Sequence, residues 1–116
     1  MPQVSVQIEW PPGLTTLPPD ATAHVTVEDA TRADASSVVV AETVLADLDV
    51  TTPAVASLDV GTVDPSASLL VRVQVSPGDR RALGVEVGDL ITTQSHPVLT
   101  HGHGDSVVVP LTQVGS

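Results

Sequence analysis

The feature that most constrains this chain is that its core has to be built from branched aliphatic side chains. Its 116 residues include 22 Val, 13 Thr and 2 Ile, but one Trp, no Phe and no Tyr. Side chains branched at Cβ are stiff in helices and pack well on a pleated surface. Their order along the chain agrees with strands. Val4, Val6, Ile8 and Trp10 alternate with Ser5, Gln7 and Glu9, a period of two. Ala21, Ala23, Val25 and Val27 read as inward, with Thr22, His24, Thr26 and Glu28 outward. Leu69, Val71, Val73 and Val75 alternate in the same way with Leu70, Arg72, Gln74 and Ser76.

Turn chemistry separates these runs. Pro11-Pro12-Gly13, Pro18-Pro19-Asp20, Asp64-Pro65 and Ser76-Pro77-Gly78-Asp79 combine fixed φ, missing N–H donors and a residue tolerant of reversed φ. Residues 38–50 are the longest strand candidate. Their even positions (Val38, Val40, Val44, Ala46, Leu48, Val50) are apolar apart from Glu42. Val40, Val44 and Leu48 would also line a helix face, but three consecutive valines and the lack of a cap favour a strand. A short strand is expected near 54–60, after Pro53. Residues 83–94, interrupted by Gly84 and Gly88, are expected as one bulged strand or two short ones. The last strand begins near Ser106, with Val107, Val109 and Leu111 inward and Pro110 marking a sheet edge or bulge. The expectation is an all-β chain: one domain over residues 1–116, an antiparallel β-sandwich of about seven to eight strands, with no helix longer than about two turns.

Four Arg and no Lys against ten Asp and four Glu give a net charge of −10. That field repels nucleic acid and anionic membrane surfaces. No apolar run approaches the roughly 20 residues of a membrane-spanning helix. Without cysteine there is no disulfide framework and no thiol nucleophile.

At the second strand the sequence resembles a known family. Leu17-Pro18-Pro19-Asp20-Ala21, Val25-Thr26-Val27-Glu28-Asp29, Arg32-Ala33-Asp34-Ala35 and Val39-Val40-Ala41-Glu42 follow the pattern of the YbaY-like lipoproteins. These are grouped with the YscW-type pilotins of type III secretion systems. Ile91-Thr92-Thr93, Pro97-Val98-Leu99-Thr100 and Gly102 continue it, so the likeness spans about residues 4–114. The resemblance implies a small β-sandwich without catalytic residues. It also implies a protein partner, because pilotins of this group help an outer-membrane secretin reach its place and are anchored through a lipidated cysteine. The sequence as given lacks that cysteine, and so the lipid anchor. It reads as cytoplasmic as it stands, and as periplasmic or cell-envelope if a leader has been trimmed.

Candidate chemistry is sparse. His101 and His103, two apart, would face one side of a strand, and His96 or Asp105 would complete a Zn²⁺ or Ni²⁺ set. Glycines on both sides of His103 instead suit a hairpin tip with exposed histidines. Asp47 and Asp49 with Asp59 or Asp64 offer oxygens to Ca²⁺ but lack any EF-hand spacing. They read as solvated charges that guard strand edges. Glu28 and Asp29, adjacent on a strand, point to opposite faces and cannot share a substrate. Arg80-Arg81 reads as a pair of salt partners for nearby acids. No G-x-S-x-G elbow, H-E-x-x-H, P-loop or dinucleotide fingerprint is present. No catalytic residue, cofactor or metal ligand is therefore assigned. The expected function is a non-enzymatic protein-binding or assembly module that offers a strand edge or groove to a partner, preferably a basic one. The alternative is a small metal-binding domain using His96, His101 and His103. Trp10, on the apolar face of the first strand, is expected to be substantially buried.

Overall fold

The alternating runs pair into two sheets whose apolar rows face one another. The computed structural model describes residues 3–11, 13, 14, 17, 21–31, 38–52, 54–61, 64, 66–77, 90–92, 96–100, 102 and 104–113. Among these there are eight strands and no helix: β1 (Gln3–Glu9), β2 (Ala21–Asp29), β3 (Val38–Leu45), β4 (Ala54–Asp59), β5 (Leu69–Pro77), β6 (Leu90–Ile91), β7 (Ser106–Pro110) and β8 (Thr112–Gln113). One sheet has the order β4-β1-β7 and the other β3-β2-β5-β6-β8. The fold is an all-β sandwich.

The three cleanest alternations in the sequence reappear as the inner faces. Val4, Val6 and Ile8 of β1 oppose Ala23, Val25 and Val27 of β2 and Leu69, Val71, Val73 and Val75 of β5, all buried. Ala56, Leu58, Leu90, Val98, Val109 and Leu111 complete the layer. With no buried side chain larger than the butyl groups of Leu and Ile, this core depends on close interdigitation of small branched side chains.

Most pairings are antiparallel, but β1 and β7 run parallel, Ser5 opposite Ser106 through Glu9 opposite Pro110. Parallel neighbours need a long crossover, and here the chain between them builds β4 of the same sheet and four of the five strands of the other. Pro110 lies on an edge of the three-stranded sheet, where a missing N–H donor costs no ladder bond. The chain then crosses between sheets at Leu111, which is buried and donates its N–H to the Glu9 carbonyl at 3.0 Å. Thr112 and Gln113 pair with Ile91 and Leu90 in the other sheet.

Residues 38–50 differ from expectation in two ways. The strand stops at Leu45, and Asp47 beyond it takes a left-handed φ of 55°, which Asp tolerates better than branched residues. The inward row is also the odd one. Ala41, Thr43 and Leu45 lie opposite Val27, Val25 and Ala23, the inward residues of β2. Glu42 and Val44 therefore face outward. A one-residue change of register moves every side chain to the other face, and pairing with β2 settles which register is used. A bulge at Val40 breaks the period, so that Val39 rather than Val40 lies opposite Glu28.

Trp10 is half-buried rather than in the core. It follows the end of β1, packs at the core margin, and donates Nε1–H to the Thr52 carbonyl at 3.1 Å. An indole N–H needs an acceptor when it leaves water, and the margin supplies one. Of residues 83–94, only 90–92 lie within the described residues, where Leu90–Ile91 is a strand.

Replacing Ile8 with Ala should lower unfolding stability by about 3 kcal/mol, through lost burial and an unfilled cavity. Val55→Ala, on the solvent face of β4, should change it by less than about 0.5 kcal/mol. Trp10→Phe should cost about 1 kcal/mol, the value of one hydrogen bond. Urea denaturation of the three variants gives all three numbers, and an Ile8→Ala cost no larger than that of Val55→Ala would contradict this packing.

Candidate functional site

The outer face of the five-stranded sheet and its β3 edge carry the features that can meet a partner. Sheet order leaves β3 with one hydrogen-bonded neighbour, β2, while β4 of the other sheet comes close to it. Val38, Val39, Val40 and Val44 are 63%, 50%, 39% and 38% exposed. Four accessible valines on one edge strand make an apolar strip that Glu42 interrupts and whose first member, Val38, lies opposite Asp29 on the other row. The three-stranded sheet shows Val55 and Val108, one on each side of Gln7.

Beside the strip runs a ladder of polar side chains. Glu42 sits between Val40 and Val44 and meets the His24 imidazole, Oε2 to Nε2, at 3.0 Å. On the next strand Thr26 donates its hydroxyl to Glu28 Oε2 at 3.1 Å, and Arg72 Nε lies 3.5 Å from Glu28 Oε1. Gln74 Nε2 donates to Ser76 Oγ at 3.2 Å. Two of these contacts cross strands, His24 with Glu42 from β2 to β3 and Arg72 with Glu28 from β5 to β2. The other two lie within β2 and β5, where Thr26 and Ser76 are buried.

The acidic residues singled out by the sequence are engaged in turns. Asp49 Oδ1 accepts the Thr51 N–H and hydroxyl at 2.8 and 2.7 Å. Asp64 Oδ1 accepts the Ser66 N–H and hydroxyl at 2.9 and 2.8 Å. Asp59 Oδ1 accepts the N–H of Gly61, whose φ is 75°. Asp29 Oδ1 accepts the Thr31 N–H at 2.9 Å and its hydroxyl as well. These are turns of the kind aspartate favours. Glu28 and Asp29 diverge, one to Arg72 and Thr26, the other to Thr31. Hydrogen bonds hold three of these carboxyls below the usual range: the side-chain bond from Thr31 foremost for Asp29, and the backbone N–H of Thr51 and of Ser66 for Asp49 and Asp64.

Of the candidate metal ligands, His96 is placed beside β5. Its carbonyl accepts the Val71 N–H at 3.0 Å, and Pro97 bridges Leu70. Its Nε2 is buried without a hydrogen-bond partner, and burial pushes the imidazole pKa down. Asp105 is exposed, and its carbonyl accepts the Ser5 N–H at 2.8 Å. His101, His103, Arg80 and Arg81 lie outside the described residues. Among the described residues no three of His, Asp and Glu gather into a group able to hold a metal, and no helix is long and apolar enough to cross a membrane. The exposed valines of β3 are what sequence reading missed. Their signal is the valine run itself, whose apolar even positions do not say which face is wet.

Carboxyls that ionise more readily folded than unfolded add stability above the ordinary carboxylate value of about 4. They lose it as the pH falls through their folded values. The His96 ring is harder to protonate folded than unfolded, so its contribution is complete above about pH 6.5 and declines below that. Urea midpoints measured from pH 8 to pH 3 should fall in two stages. His96→Phe should remove the first and Asp64→Ala should reduce the second; unchanged profiles in both variants would contradict these assignments.

The comparisons with known proteins agree with this architecture. The chain matches the type III secretion system lipoprotein chaperone family (YscW) over residues 1–111. A solved structure of an alternative pilotin from the type II secretion system of Vibrio cholerae superposes with a TM-score of 0.75 at 19% identity, covering 98% of this chain and 97% of that one. At that identity the likeness is one of fold. No curated protein matches significantly. Since the family match takes in almost every strand described above, the chain belongs to the YscW family of type III secretion system lipoprotein chaperones.

Proposed function

We propose that this chain is a non-enzymatic module that binds another protein and assists its placement or assembly at the cell envelope. The observation that carries the reading is family membership over residues 1–111. The family is one of secretion chaperones, for which binding is the activity. The surface supports the same reading, since it offers an accessible apolar edge flanked by ordered polar groups. The outer-membrane secretin that pilotins serve gives the class of partner, a subunit of an envelope assembly. A net charge of −10 favours a basic surface on that partner and an association that weakens with salt.

Affinity capture from a lysate of the source organism, at low and at high salt, tests the proposal. One or more envelope proteins should be recovered above background, and recovery should fall at high salt. Recovery of none, together with turnover of ester, phosphate or peptide substrates by the purified chain, would replace this function with an enzymatic one.

A further inference from the structure

Among the described residues the two sheets have four end strands, and these are not equivalent. β8 is two residues long, and β7 ends on Pro110, which has no N–H to donate. β4 presents a single strongly exposed valine, Val55. β3 is eight residues long and carries four exposed valines around one carboxylate. An edge strand leaves alternate N–H and C=O groups unpaired, and an added strand gains affinity from those groups and specificity from alternate side chains.

A second copy of this chain is a poor occupant. In a sheet continued through a two-fold axis, residues facing the same side pair with one another. An axis at Glu42 sets two glutamates directly opposite, roughly 5 Å apart at Cβ, and an axis at Thr43 sets them diagonally at roughly 7 Å. Each copy also brings a net charge of −10. A basic residue at the same place meets an attractive site, because Glu42 has a side chain 53% exposed while holding His24 through Oε2.

We propose that the open edge of β3 takes up an extended segment of a partner protein whose outward row places one arginine or lysine opposite Glu42, between apolar residues that cover Val44 and the Val39–Val40 bulge. This rests on the protein-binding function above and names the surface and the chemistry it selects. The bulge at Val40 shortens the regular edge to Ala41 through Leu45, so the segment recognised is short, about five paired residues. The paired groups are main-chain donors and acceptors. The charge and the two apolar contacts supply the selectivity.

The test uses the full chain labelled with ¹⁵N and a capped nine-residue peptide centred on Val-Thr-Arg-Thr-Val. Amide shifts should be confined to β3 and neighbouring β2. Replacing the central Arg with Glu should weaken binding about tenfold, and Glu42→Arg should reverse that preference. Of two peptides N-methylated on alternate residues, one should lose binding and the other keep it, since only one set of amides faces β3. No binding, shifts on β4 or β7, equal binding of both N-methylated peptides, indifference to the central charge, or β3 shifts that follow protein concentration without peptide would each overturn the proposal. A partner captured from lysate and cross-linked to a face other than β3 would leave the binding function standing while removing this edge from it.

Discussion

The register of β2 between β3 and β5 is the constraint on which the rest depends. Along β5 the pairing is unbroken from Ala21 opposite Pro77 to Asp29 opposite Leu69. That ladder holds Ala23, Val25 and Val27 in one plane with Val71, Val73 and Val75, and these form the floor on which β1 lays Val4, Val6 and Ile8. Because the floor contains no large side chain, it has little tolerance for slippage. A shift by one residue would bring His24, Thr26 and Glu28 into the aliphatic layer, and unpaired buried polar groups of that kind are costly. The same ladder decides what lies outside. Once Val25 faces in, His24 and Thr26 face out, and whatever pairs with them on β3 faces out too.

That chain of consequences explains how much of the fold was legible in the sequence. β1, β2 and β5 were legible because polar and apolar residues alternate there without ambiguity, and burial is what the alternation encodes. The direction of β7 was not legible. Nothing in Ser106 through Pro110 distinguishes a parallel neighbour from an antiparallel one, and its pairing with β1 is parallel. β3 misled for a sharper reason. Its valines obey strand propensity but not burial, and propensity alone carries no sign for which face is wet. Its partner on β2 supplies that sign. His101 and His103 stand out by spacing alone, and between the two described histidines it is His96, set against β5 by its own carbonyl, whose ring nitrogen is buried without a partner.

The acidity of the chain divides into two kinds of work. Asp29, Asp49, Asp59 and Asp64 each accept hydrogen bonds from a residue two positions on, so four of the fourteen acidic side chains are fixed at strand ends or in the turns that follow them. In a domain without disulfides and without bulky aromatic packing, such turns limit the conformations of the connections and help to set strand length. Asp47 adds a left-handed residue just beyond β3. The carboxylates that looked like a possible cation site are therefore separated among turns, and their negative field is left for the surface to use.

An accessible apolar edge and a chaperone function place opposite demands on one strand. An open row of valines favours capture of extended chain but also favours pairing with any other edge, including its own. Glu42 and the Val40 bulge meet both demands at once. The bulge interrupts the regular edge, so a long flat strand cannot zip along all of β3. The carboxylate makes self-pairing repulsive in the two registers centred on Glu42 or Thr43. Neither device closes the edge to a short segment that brings a positive charge to the right position. Selectivity here thus comes from what the edge refuses as much as from what it attracts.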